Sequence, residues 1–134
     1  MALLYDDLII GQSWGNFSWK VTPLLCKSWN ETMGEIPLPV LPGEAAIMPA
    51  GLLVLMFSNY MDAMVPPRPP GMIYAAQKLT YGEPAREGDT LITVLSVHNK
   101  FIKRERLFVE IDSQTVNDHN QFVASGIRTV IWGA

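Results

Sequence analysis

Apolar and polar positions follow two different rhythms in this chain. In the second half, MIYAAQKLTYG (Met72–Gly82), TLITVLSVHNK (Thr90–Lys100), ERLFVEIDSQTVN (Glu105–Asn117) and QFVASGIRTVIWG (Gln121–Gly133) are rich in Val, Ile, Thr, Tyr or Phe. The stretches GEPAREGD, NKFIKR and NDHN separate them, which is how consecutive strands and turns read. Leu107, Val109 and Ile111 alternate with Phe108, Glu110 and Asp112, a period of two with one drier face. The expected strands are Met72–Tyr81, Thr90–Asn99, Arg104–Val116 and Gln121–Trp132, the last three joined by tight antiparallel connections.

The first half carries helical signals. In GLLVLMFSNYMDAMV, residues 51–65, Leu52, Leu53, Leu55, Met56, Tyr60 and Met64 make one face, and Val54, Phe57 and Met61 fill the other sides. A helix apolar nearly all round must be buried nearly all round. It is expected over Gly51–Met64 and ends at the prolines of PPRPPG, which cannot continue it. Upstream, Thr22-Pro23 reads as the cap and first turn of a short helix that stops at Gly34. Gln12–Val21 reads as a short strand in which Trp14, Phe17 and Trp19 invite burial. One buried helix followed by four antiparallel strands has a simple solution: the sheet curls around the helix and the early strand completes it. The expected fold class is therefore α+β, the hotdog architecture, as a single domain over residues 1–134.

Composition narrows the function classes. With 49% hydrophobic and 17% charged residues, the chain has ample core and little to sustain disorder. A net charge of −3 with ten Lys and Arg argues against a nucleic-acid surface, which needs clustered cations. The one basic cluster, KFIKRER (Lys100–Arg106), includes Glu105 and reads as a solvated turn and strand start, its other reading being a dock for an anionic group. Cys26 is alone, so no internal disulfide forms and a reducing compartment is expected. MALLYDDLIIG lacks the basic start of a signal peptide. The uncharged run Ala45–Phe57 is shorter than the roughly 20 residues of a membrane span. The expectation is a soluble, cytoplasmic protein without membrane contact. Two histidines and one cysteine give no metal-ligand spacing, and nothing calls for a cofactor.

Three motifs carry a resemblance to a known family. YGEPAREGDTL (Tyr81–Leu91), NQFVASGIRTVI (Asn120–Ile131) and LYDDLIIGQSW (Leu4–Trp14) resemble, in the same order, the strand start, final strand and opening of the MaoC-like hydratases and dehydratases. That resemblance implies the hotdog fold and an activity: adding water to, or removing it from, the double bond of an acyl thioester carried by coenzyme A or an acyl carrier protein. It also implies a site. The family carries an Asp and a His in a Gly-Asp-x-Asn-Pro-x-His loop, with a second His-Gly opening the central helix. The pair does acid–base work while helix N-terminal amides hold the thioester oxygen.

The corresponding stretch here is GEIPLPVLPGEAAIMPAG, Gly34–Gly51, with four prolines, three glycines and no histidine. Gly34-Glu35 stands where Gly-Asp would be, the His position falls on Pro39 or Val40, and His-Gly becomes Ala50-Gly51. The loop reads as an emptied site. The remaining catalytic candidates are Glu35, beside which Glu44 is the other acid near the loop, and Asp62 near the end of the central helix. Ala50, Gly51 and Leu52 are the substrate-binding candidates, through backbone N–H groups. His98 and His119 read as turn residues, Arg86 and Asp89 as turn and strand-start residues, and Cys26 as a packed thiol. Three functions follow: a hydratase working with displaced acids, a non-catalytic subunit beside a competent MaoC-like partner, or another hotdog activity such as thioester hydrolysis or acyl-thioester binding alone. The expected partners are the acyl thioester and a second subunit, in a homodimer or a heteromer.

Overall fold

The structure is a computed structural model that describes residues 2–63 and 67–133. Strand β1 (Ser13–Lys20) leads into helix α1 (Pro23–Met33), and a long connection reaches helix α2 (Leu52–Asp62). Strands β2 (Ile73–Tyr81), β3 (Thr90–Lys103), β4 (Arg106–Asn117) and β5 (Phe122–Ile131) follow. The five strands form one sheet in the order β1-β3-β4-β5-β2, antiparallel throughout. The capping signals act as the sequence implies. The Thr22 hydroxyl accepts the Leu25 N–H at 3.1 Å, and Gly34 closes α1 in the left-handed conformation, where a glycine carries no steric penalty.

The sheet curls over α2. Phe57, Tyr60 and Met61 pack with Leu95, Val97, Val109, Ile111 and Val130 at one end. Leu52 packs with Val21, Cys26, Met48, Leu91 and Val123 at the other. Trp14 meets Trp132 at 6.1 Å between ring centroids, and the Trp132 indole donates to the Leu3 carbonyl at 2.9 Å, tying the start of the chain to β5.

Two expectations need correction. The helix is not buried all round: Leu55 is 45% exposed, and Asn59 and Asp62 are exposed as well. A five-stranded sheet covers one side of α2 and leaves an outward stripe. The expected helix end at Met64 lies outside the described residues. The second correction concerns the β3–β4 hairpin, expected to turn between Asn99 and Arg104. Instead β3 runs on to Lys103, which pairs with Arg106, and Arg104 and Glu105 turn alone at φ of 50° and 63°. Left-handed backbone at both central residues matches the twist of the strands. The basic cluster is thus the tip of a hairpin, as its solvated reading held.

Among the described residues, no helix is long and apolar enough to cross a membrane.

Candidate functional site

The start of α2 is built by a short tight turn. The amides of Leu52 and Leu53 donate to the carbonyls of Pro49 and Ala50 at 3.1 and 3.2 Å, and those of Val54 and Leu55 to Gly51 at 3.1 and 3.3 Å. Of the helix-end donors, the Gly51 N–H is the one with no acceptor among the described residues. It points its dipole end where a carbonyl oxygen gains most. A Cβ at Gly51 would collide with the Trp29 indole of α1 and force it aside.

A groove surrounds this helix end. Its widest part, about 580 Å³, lies between α1 and the connection, with Cys26, Asn30, Glu31, Glu35 and Glu87 on its walls. A space of about 260 Å³ under Pro37 and Leu38 continues it to Pro49 and Ala50. An apolar pocket of about 200 Å³ follows, bounded by Leu38, Met48, Leu53, Tyr81 and Val123. The connection is pinned over the groove at its far end. Arg86 pairs with Glu44 at 3.3 Å and donates to the Ala45 carbonyl at 2.8 Å, while Met48 N–H bonds the Ala85 carbonyl at 2.8 Å.

The structure places the candidate residues unequally. Ala50, Gly51 and Leu52 lie together at the helix end, but the Leu52 donor is engaged and its side chain buried. Glu35 lines the groove, fully solvated just past the end of α1. Asp62 is the last residue of α2, so about 15 Å of helix separates it from Gly51. Its side chain is 66% exposed and pairs with Arg68. Glu35 and Asp62 therefore do not form one acid–base pair. His98 is exposed on β3, and His119 is exposed in the β4–β5 turn. Neither lines the groove. Burial pushes the Cys26 thiol up, with Glu87 adding to it, so a packed thiol rather than a nucleophile faces the groove. Ligand atoms of Asp89, Asp118 and His119 come within 4.8 Å of one another. They are solvent-facing turn groups, and Asp89 already accepts the Arg86 amide at 2.9 Å.

One polar layer escaped the sequence reading. Beneath α2, Thr93 and Thr115 share a hydrogen bond at 2.7 Å, and Thr93 bonds the Tyr60 hydroxyl at 3.4 Å. Arg128, 4% exposed, lies between the rings of Phe57 and Tyr74 at 4.0 and 4.6 Å. It donates to Gln77 Oε1 at 3.1 and 2.8 Å, to Ser58 at 3.2 Å and to the Val54 carbonyl at 3.2 Å. Among the described residues no carboxylate pairs with it. Burial draws its guanidinium below the ordinary value, though arginine stays a cation. The available signal was the run VASGIRTV, where a period of two puts Arg128 in line with Ala124, Gly126 and Val130.

One antiparallel sheet curled over one helix decides the architecture. The chain has the hotdog fold. Solved hotdog structures agree. The (R)-hydratase PhaJ1 from Pseudomonas aeruginosa superposes with a TM-score of 0.80 at 20% identity, over 96% of this chain and 84% of that one. The MaoC-like dehydratase from Rhodospirillum rubrum gives 0.76 at 20%, over 99% of both. The HadBC complex, a 3R-hydroxyacyl-ACP dehydratase from Mycobacterium tuberculosis, gives 0.75 at 14%, over 92% of this chain and 96% of that one. No family model and no curated protein matches the sequence. The likeness to MaoC-like dehydratases and (R)-hydratases is thus one of fold.

Proposed function

We propose that this hotdog protein binds an acyl thioester in the groove at the start of α2 and serves as a hydratase-type subunit that lacks the acid–base pair. The observation that carries this reading is a contrast at one place. The Gly51 amide at the helix N-terminus has no acceptor among the described residues, and nearby Ala50 and Leu53 bound an apolar pocket. Among the described residues the groove around that helix end is lined by glutamates and by no histidine. That structural neighbours are an (R)-hydratase and dehydratases supports the substrate class.

Binding would put the thioester oxygen on Gly51 N–H and the acyl group against Leu38, Met48 and Leu53. Chemistry would need a group from elsewhere. The edge strand β2 presents exposed Ile73, Tyr74 and Tyr81, and an open apolar edge of this kind is normally covered. A second hotdog subunit on that edge, a copy or a related chain, fits it. The HadBC neighbour is itself a complex.

The test is hydration of crotonyl- and longer enoyl-coenzyme A by the purified protein, together with Glu35→Gln and Asp62→Asn. The expected result is acyl-coenzyme A binding with turnover at least about 10²-fold below that of a competent hydratase, since a positioned base contributes 10²–10⁴-fold. Robust turnover that disappears in Glu35→Gln would make the glutamate the base and overturn the reading.

A further inference from the structure

Behind the apolar pocket lies a second, much smaller space. Its volume is about 10 Å³, room for a single water-sized atom. Leu53 bounds both spaces and separates them like a door. The outer wall is apolar, whereas the inner space has Tyr60, Gln77, Thr93, Ser113 and Thr115 beside the apolar Phe57, Leu79 and Ala124. Buried hydroxyls and amides lower stability unless they are fully paired, so what they offer to the void matters.

They offer donors. Thr93 donates to the Tyr60 oxygen, and the neighbouring Trp19 side chain has only an N–H to give. The phenol's own O–H therefore has no acceptor among the described residues, although Tyr60 is only 6% exposed. Burial pushes the Tyr60 hydroxyl up, with Thr93 and Trp19 pulling the other way, which keeps it protonated. Gln77 is half-buried on β2. Its carbonyl oxygen is taken by Arg128 and by the Tyr74 hydroxyl at 2.9 Å, which leaves its NH₂ to face other partners. The uncompensated cation behind that amide polarises it further toward donation.

Resting on the acyl-thioester reading above, we infer that the inner space receives an acceptor oxygen at the distal end of the acyl group, a carbonyl or carboxylate, and that Leu53 yields to admit it. Leu53 and Tyr60 are seven positions apart on α2, about 10 Å along the helix axis, a distance that a medium-length acyl chain spans. A plain alkyl end would bury these donors unanswered, and sites built to hydrogen-bond a group reject the analogue without it.

The experiment is calorimetric titration of the protein with same-length medium-chain enoyl-coenzyme A thioesters ending in a methyl group, a methyl ketone or a carboxylate. Expected is binding at least about tenfold tighter for one oxygen-ended ligand than for the methyl-ended one, the order of a single well-made hydrogen bond. A carboxylate that outperforms the ketone identifies the Arg128 charge as the selecting feature; the reverse order identifies acceptance alone. Tyr60→Phe, which keeps the ring, should bring the ligands within about threefold, and Gln77→Glu, which keeps an acceptor for Arg128 but removes the NH₂ donor, should reduce the preference by a second route. Equal or tighter binding of the methyl-ended ligand, or an undiminished preference in both variants, overturns the inference while leaving the acyl-thioester reading intact. Binding of none of the thioesters overturns both.

Discussion

The connection from Gly34 to Gly51 and the layer beneath α2 are opposites in chemistry and in packing. Residues 34–45 of the connection are exposed without exception, and they hold prolines and aliphatics with glutamate as their only charged residue type. Beneath α2, by contrast, Tyr60, Thr93, Thr115 and Arg128 are polar and almost wholly buried. An exposed loop can lose its functional groups at little cost to the fold. A buried polar layer cannot persist by neglect, because every unpaired member is penalised. The difference teaches where to look for selected function in this molecule: inside, at the far end of the groove, and not at its mouth.

Removing Arg128 gives the sharpest attack on that contrast. Arg128→Ala leaves Gln77, Ser58 and the Val54 carbonyl without their donor and opens a cavity, so a loss of about 3 kcal/mol is expected in urea unfolding. A loss below about 1 kcal/mol would show the layer to be dispensable, and the contrast would collapse. Gly51→Ala forces Trp29 aside and should cost about 2 kcal/mol, in the range for overpacking, together with weaker acyl-coenzyme A binding. A neutral effect in both measurements would remove the helix end from the site.

Tyr60→Phe should cost about 1 kcal/mol at neutral pH, one hydrogen bond's worth. It also has a signature in pH. The folded-state value of Tyr60 is raised above the ordinary 10.0, so the unfolded chain releases this proton first. The stabilisation is full below about pH 10 and is lost as pH rises through the folded value. The gap between wild type and Tyr60→Phe should therefore narrow above pH 10 in denaturant titrations. A constant gap would mean that burial does not hold the proton. Smallest of all, Glu35→Gln and Asp62→Asn should each stay within about 0.5 kcal/mol of wild type. Asp62 and Arg68 form an exposed pair, worth between roughly 0 and 1 kcal/mol.

The elements were legible because their signals are local. Thr22-Pro23 and Gly34 frame α1 by cap chemistry that needs no tertiary contact. The alternation at Leu107–Asp112 shows β4 in the same way. The β3–β4 turn was not legible, because Arg104 and Glu105 adopt left-handed backbone that glycine or asparagine usually supplies. The exposed stripe of α2 was missed because apolar residues on every side do not tell how much sheet there is to cover them. Arg128 was missed for a related reason: arginine is almost always outside, and only the neighbouring strand and helix supply the partners that keep it in. At the candidate site, the absence of histidine from Gly34–Gly51 was visible, but not that Asp62 points outward or that the Leu52 amide is already engaged.

The strand order has a consequence for how this chain is made. Strands β3, β4 and β5 are neighbours both in sequence and in the sheet, whereas β1 reaches β3 across α1, α2 and β2, and β2 reaches β5 across two strands. Short loops close first and long ones slowly, so the three-strand meander is the expected nucleus, with both edge strands docking onto it. A ribosome delivers α2 before any of that meander exists. Leu52 can already meet Val21, Cys26 and Met48, but Phe57 and Met61 lack their strand surface until β3, β4 and β5 emerge. The stretch from α2 to β3 is therefore the interval in which a nascent chain is most exposed to chaperones and to aggregation.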